Sequence, residues 1–428
     1  MRFKTVTEWL TWQEGLNPKE IELGLNRVLQ VKQCLDLAQL DFKVLTVAGT
    51  NGKGSSVAIL SSILNVAGYR VGAYTSPHLI RYNERITIND QEISDQELCC
   101  AFEQVDQARG DIPLTYFEFG TLAALVYFKN VAKLDVVILE VGLGGRLDAV
   151  NAFEPNIALI TTIDIDHTDW LGDTRESIAK EKAGILRKNI PLVYNELNPP
   201  QALLREVERL AVNAYYYGVD YKYDKTANGW TWTGPDNITN NLVKPSLMGE
   251  IQYLNASGAL MVLTLLKDKF VVSQDAINQG LKKPILAGRY QVIHQKYDHI
   301  FDVAHNVQSA AALVKTLSQD NCNGQTHAIF AMLSDKDMAG VIDELKSEID
   351  LWHVPQLNAQ RAASVSTITE IISSIVPGAT KVNAYASVSE TYTQVLNMMQ
   401  ENDRIVIFGS FYVVAGVLQV LHKTHLLH

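Results

Sequence analysis

The sequence predicts an α/β protein built on mostly parallel, doubly wound sheets. Two patterns carry that expectation. Apolar runs of strand length alternate with amphipathic stretches of helix length, the signature of parallel strands joined by crossover helices. One run is also followed at once by a glycine-rich loop and then by a helix, in DFKVLTVAGTNGKGSSVAILSSILNVAGYRVGAYT, a strand–loop–helix–strand unit.

Residues 1–40, ahead of that unit, read as helical and amphipathic. After it, LDVVILEVG (134–142) is a buried strand leading into GLGGR, and PNIALITTIDIDH (155–167) is another. A helix through SIAKEKAGIL precedes the strand IPLVYN (190–195). Residues 215–250 change character: Tyr, Trp, Thr and Asn with NG and GPDN turn signals predict short antiparallel strands. Helices are expected from Asn255 to Asp268 and from Ser273 to Leu281. In KKPILAGRYQV, Pro284 and Gly288 break the helical period, so a domain boundary is placed there, dividing 1–285 from 286–428. A second α/β pattern follows, with strands HIFDVAH (299–305), THAIFAML (326–333), DLWHVPQL (350–357) and RIVIFGSF (404–411).

The chain has 428 residues, 47% hydrophobic and 20% charged, enough apolar material for more than one core. Its net charge is −10 and it has no Lys/Arg run, which argues against a nucleic-acid partner. The N-terminus, MRFKTVTEWLTWQEG, lacks the apolar segment of a signal peptide, and no apolar run is long enough to span a bilayer. None of the four cysteines forms a CxxC pair. A cytoplasmic protein with no membrane partner is expected.

AGTNGKGS (Ala48–Ser55) sits between a strand and a helix, where backbone N–H groups, the helix N-terminus and a lysine converge on phosphate oxygens. Lys53 would lie on the β/γ phosphates, with Gly49, Gly52 and Gly54 letting the backbone approach. The spacing is shorter than a Walker A, and Gly54 separates Lys53 from Ser55. Phosphate-bound magnesium takes oxygen ligands. Ser76 (YTSPHL), Glu140 (LEVGLGG) and His167 (DIDHTDW) end strands on the loop's side of the sheet, where ligands of open α/β sheets bind. Chemistry alone leaves His167 open, with Asp164, Asp166 and Asp169 competing as acidic ligands. Lys182 in EKAGI, judged alone, reads as a partner of Glu181 or a solvated cation.

In order along the chain, AGTNGKGS, SPHLIRYNERI, LTYFEFGT, LEVGLGGRLDAVN, DHTDWLG, SIAKEKAGIL, AGRYQ, FDVAHN and FGSF resemble the bifunctional dihydrofolate synthase/folylpolyglutamate synthases of the Mur-ligase superfamily, over essentially the whole sequence. The resemblance implies an N-terminal P-loop-type ATPase domain with a mostly parallel sheet, a C-terminal Rossmann-like domain and an active site between them. It implies ATP-dependent addition of L-glutamate to dihydropteroate, and of further γ-linked glutamates to reduced folates, with ATP as co-substrate and two Mg2+ sites. By resemblance Gly52, Lys53, Gly54 and Ser55 hold the ATP phosphates. Ser76 and Glu140 match ligands of one magnesium, and Glu140 and His167 those of a second. Lys182 matches a lysine that the family carbamylates. Asn255, Arg289 and Asp302 match further ATP contacts, with His305 and Asn306 as neighbours.

The family's dihydropteroate contacts match Glu22, Leu23 and Gly24, then Thr115, Tyr116, Phe117 and Glu118, then Leu147, Asp148 and Ala149. For Tyr116 and Phe117 core packing is the competing reading. Two departures touch only the nucleotide pocket: HNV stands where the family has HNP, and Glu250–Ile251 replace its usual basic residue. The resemblance implies an acyl phosphate formed on the acceptor carboxylate and attacked by the glutamate amine, without an enzyme nucleophile. A monomer is expected. Three other readings compete: a folylpolyglutamate synthase alone, a cell-wall Mur ligase and a non-catalytic nucleotide-binding regulator. The segment before the glycine loop is too short for the separate N-terminal domain, of ~100 residues, of a cell-wall ligase.

Overall fold

The computed structural model describes residues 1–19, 21–131, 133–235, 239–376 and 382–423. Asp236 and Asn237 of the GPDN turn signal lie outside them. The chain divides into two compact units. The first holds Met1–Asp164, Leu171–Pro245 and Tyr253–Pro284; the second holds Ile165–Trp170, Ser246–Gln252 and Ile285–His428. The short stretch around Asp166 and His167 thus groups with the C-terminal residues, although it follows a strand of the first unit.

In the first unit the strands are β1 (Lys43–Ala48), β2 (Val71–Tyr74), β3 (Ile86–Ile88), β4 (Gln91–Glu92), β5 (Val136–Glu140), β6 (Ile157–Ile160), β7 (Leu192–Tyr194) and β8 (Ala214–Tyr216). They form one sheet in the order β4–β3–β2–β5–β1–β6–β7–β8. It is parallel from β2 to β8, and β3 and β4 extend it antiparallel. The strand–loop–helix–strand unit is present, but β1 and β2 are not neighbours. β5 lies between them, as suits a strand buried at every position and therefore covered on both faces.

Parallel register brings the C-terminal ends of the central strands to one edge, with Val47 opposite Glu140 and Ala48 opposite Ile160. The N-terminal helix Val6–Glu14 begins with a Thr5/Glu8 capping box and buries Trp9 completely against Phe102 and Phe119. Truncating so buried an aromatic costs about 3–5 kcal/mol. The helix after the glycine loop, Lys53–Val66, packs on Gln274–Lys282, where the Ser62 hydroxyl donates to the Gly280 carbonyl at 2.8 Å.

The Tyr/Trp-rich segment forms the antiparallel sheet β9 (Lys222–Thr226), β10 (Gly229–Thr233) and β11 (Thr239–Leu242), with Trp230 and Trp232 buried. The second unit contains β12 (Gln291–His294), β13 (Asp298–Phe301), β14 (Thr326–Phe330), β15 (Leu351–Pro355), β16 (Val382–Tyr385) and β17 (Arg404–Phe408), in the order β12–β13–β17–β14–β15–β16. Only β12 runs antiparallel. The four strands expected here are present. The additional β12 and β16 are edge strands, short and only partly buried, so they lack the apolar runs that mark central strands.

Candidate active site

In the first unit the glycine loop leaves β1 and is held by the residues that follow β6. Thr50 N donates to the Thr162 carbonyl at 2.7 Å, Asn51 N to the Thr162 hydroxyl at 3.1 Å, and the Thr161 hydroxyl to the Asn51 carbonyl at 2.6 Å. The sequence reading missed both threonines; ITTID, directly after a strand, was their only signal. Gly52 adopts φ +83° as N-cap of Lys53–Val66, and no side chain caps that helix. The N-terminus of a helix favours an anion through its backbone N–H groups and its positive dipole end. A Cβ on Gly52 would stand 2.4 Å from Asn255 Oδ1, so Asn255, buried on the helix Ile251–Leu265, lies directly against the loop. Lys53 curls over it, donating to the carbonyls of Gly49 at 3.0 Å and Thr50 at 3.1 Å. Ser55 is buried in the first turn.

Glu140 ends β5, buried, with Oε2 accepting from Ser76 N at 3.1 Å and lying 3.8 Å from where a Gly54 Cβ would stand. A carboxylate and the Ser76 hydroxyl, both hard oxygen donors next to a phosphate loop, fit a divalent cation. Among the described residues no group of three or more His, Cys, Asp or Glu converges on a metal position. Phosphate oxygens and water would have to complete the coordination, as is usual for nucleotide-bound magnesium.

GLGGR packs against EKAGI. Arg146 N donates to the Glu181 carbonyl at 2.8 Å, and the Arg146 guanidinium pairs with the Glu181 carboxylate. Lys182 is only 3% exposed, so it is not the solvated cation its sequence context suggests. Asp148 closes the GLGGR turn, accepting from Leu143 N at 2.8 Å and Val150 N at 2.9 Å. Burial lifts its pKa to about 6, against those backbone bonds and the nearby Lys53 charge.

The three segments matched to dihydropteroate meet. Gly24 N donates to the Leu147 carbonyl at 3.3 Å. Arg27, which the sequence reading passed over, binds the Glu22 carbonyl, the Glu22 carboxylate and the buried Glu118. Leu23, between Glu22 and Gly24, is half-buried, and Ala149 is buried beside Asp148. Thr115 and Glu118 form the capping box of the helix Tyr116–Asn130, so both side chains have structural duties. Tyr116 and Phe117 are half-buried. Arg85 stacks over Tyr116, and Phe117 lies so close to Gly142 that a Cβ there would fall 2.6 Å from its ring.

In the second unit Asp302 accepts from Tyr290 N at 2.9 Å and Ala304 N at 2.8 Å. Burial raises its pKa, opposed first by Arg289. The Arg289 guanidinium lies 5.4 Å over Phe411 of the FGSF motif, and His305 packs on the same ring. Asn306 caps the helix Val307–Leu317. His167 has φ +52° and is half-exposed. Asp166 beside it is buried and pairs with Lys336 and His305. Asp164 belongs to the first unit, where its backbone binds the Thr50 hydroxyl, and Asp169 is exposed.

A central parallel sheet, a glycine loop with a lysine and a strand-end carboxylate, and a second α/β unit define a Mur ligase. The family models for the Mur ligase middle domain and the Mur ligase glutamate ligase domain match residues 47–263 and 288–411. The dihydrofolate synthase/folylpolyglutamate synthase of Escherichia coli K12 is 39% identical over 97% of this chain and 95% of its own length; that of Haemophilus influenzae is 40% identical over 96% of each. A solved structure of E. coli FolC in complex with DHPP and ADP covers 99% of each chain at 40% identity, with a TM-score of 0.91. The Yersinia pestis bifunctional enzyme complexed with AMPPNP and Mn ion covers 98% of each at 42%, with a TM-score of 0.89. The chain belongs to the dihydrofolate synthase/folylpolyglutamate synthase family, and it is an ATP-dependent ligase.

Proposed function

We propose that this ligase joins L-glutamate to 7,8-dihydropteroate, giving dihydrofolate, and adds γ-linked glutamates to reduced folates. The observation that carries the bifunctional reading is the seam where Gly24 meets Leu147 and Arg27 meets Glu118, in the same unit as the phosphate loop. A carboxylate does not react with an amine at neutral pH, because its oxygen is a poor leaving group. Phosphorylation by ATP gives an acyl phosphate, the glutamate α-amine attacks its carbon, and phosphate leaves.

Gly52, Gly54, Ser55 and the helix N-terminus bind the ATP phosphates, and Lys53 leaves its loop carbonyls to meet the transferring phosphoryl group. Asn255, Arg289 and Asp302 bind the remainder of ATP. Ser76 and Glu140 would hold one Mg2+, and Glu140 and His167 a second; the bound cations neutralise charge on the phosphoryl oxygens. Buried Lys182 is carbamylated, becoming an anion that orients or charge-balances the metal site; an unmodified Lys182 in fully active, bicarbonate-supplied enzyme would refute that. Glu22–Gly24, Thr115–Glu118 and Leu147–Ala149 shape the acceptor site, with the half-buried Tyr116 and Phe117 offering aromatic surface to a flat ring. We place the enzyme in the cytoplasm as a monomer; no helix among the described residues is long and apolar enough to cross a membrane.

The test is glutamate- and ATP-dependent product formation with Mg2+ and either 7,8-dihydropteroate or tetrahydrofolate. Product from both supports the bifunctional reading. Product from tetrahydrofolate alone leaves a folylpolyglutamate synthase and removes the role given to the seam.

A further inference from the structure

In the second unit a single buried carboxylate collects contacts from four residues. Asp166 Oδ1 is ion-paired with Lys336 and accepts from His167 N at 2.8 Å. Its Oδ2 accepts from Asn306 Nδ2 at 3.3 Å and lies 3.4 Å from His305 Nε2. The other ring nitrogen of His305, Nδ1, faces the Val303 carbonyl at 2.7 Å, so both edges of that ring meet an acceptor and its orientation is set. His167 sits in the left-handed region, a conformation a non-glycine residue keeps only when its surroundings impose it. The Asp166 bond to its backbone and the Trp170 N–H on its carbonyl at 3.0 Å are such constraints.

We infer that Lys336 is a positioning residue of the ligase, acting through Asp166 to hold His305, Asn306 and His167 in place. Its side chain is 8% exposed and its ammonium is engaged by a carboxylate that is equally buried. Lys336 gives Asp166 a cationic partner on Oδ1, which leaves Oδ2 to the Asn306 amide and the His305 ring. Removing one member of a buried pair strands the other, so without Lys336 the carboxylate is no longer held and the histidine ring and Asn306 amide lose their common anchor. Nothing in the sequence joins SDKD to DIDH; the junction exists only in the fold. The inference rests on the ligase reading, since His167, His305 and Asn306 matter to turnover only there.

The experiment compares wild type with K336M, K336R, D166N and the double variant D166N/K336M. It reads kcat and each KM, thermal stability, and the imidazole NMR signals of His305. Wild-type turnover tests the ligase reading; the variant-to-wild-type comparisons and the NMR test this inference. We expect K336M and D166N each to lower kcat at least about tenfold, the loss of ~1.4 kcal/mol of transition-state stabilisation. KM for the pteroate acceptor should hold. The double variant should lose no more than the worse single variant, K336R should recover most of the rate, and His305 signals should shift in K336M. If K336M does not fold, D166N, with its neutral isostere, is compared with K336R on the same readouts. Unchanged kcat and unmoved His305 signals in folded K336M or D166N, or losses that multiply in the double variant, would overturn the inference.

Discussion

Gly142→Ala separates an acceptor-site role for Phe117 from core packing. Gly142 does not need a left-handed backbone, so alanine adds only a methyl group. That methyl would sit 2.6 Å from Phe117 Cζ and 2.8 Å from Cε2, against ~3.5–4.0 Å for ordinary carbon contact. The ring must retreat by about 1 Å, and forced displacements of this kind cost about 1–3 kcal/mol. If Phe117 lines the acceptor site, that energy appears as a dihydropteroate KM raised roughly 5- to 150-fold. KM for ATP should hold, because the loop Gly49–Ser55 is secured by Thr161 and Thr162 and not by Phe117. Steady-state ADP release with each substrate varied in turn measures both. A folded Gly142→Ala enzyme with a lowered Tm but an unchanged dihydropteroate KM would show that Phe117 is packing alone. Equal rises in both KM values would place the damage at the phosphate loop.

Gly52→Ala meets both a positive φ and Asn255 Oδ1 at 2.4 Å, and should weaken ATP binding at least about tenfold, measured by titration calorimetry; wild-type affinity would remove the loop from the phosphate site. Arg27→Met leaves Glu118 buried beside its capping duty without its cation, and should destabilise the first unit by about 2–4 kcal/mol in a denaturant melt, with Arg27→Lys milder. Acid should weaken the second unit. His353 is buried against His327, burial first and that neighbour second depressing its pKa to about 4, and burial also depresses His327 and His299. Unfolded histidines bind protons near 6.5, so stability is present above that pH and falls as pH drops from there toward 4, by roughly 1.4 kcal/mol per pH unit for His353. Tm measured from pH 7.5 to 5 should show this slope, and His353→Phe should reduce it.

Much of this protein is legible along the chain. Strand, glycine loop and helix are contiguous in Lys43–Val66, so one local pattern contains the phosphate loop, and β5 ends visibly on an acid because a run as apolar as VVIL ends in Glu140. The nine ordered motifs carried the family. What the sequence leaves open are relations between distant residues. Lys182 reads as a partner of Glu181 or a solvated lysine until GLGGR is seen packed on it and Arg146 is found on Glu181. Arg27 is one arginine among many until the fold sets it on Glu118, 91 residues away. Asp166 competes with its neighbours Asp164 and Asp169 on equal terms in sequence, and only the packing of Lys336, His305 and Asn306 around it distinguishes it. Secondary structure and glycine loops follow from local sterics and periodicity, which a sequence displays. Burial and charge pairing depend on which side chains the tertiary fold brings within a few ångströms, and chain order does not encode that distance.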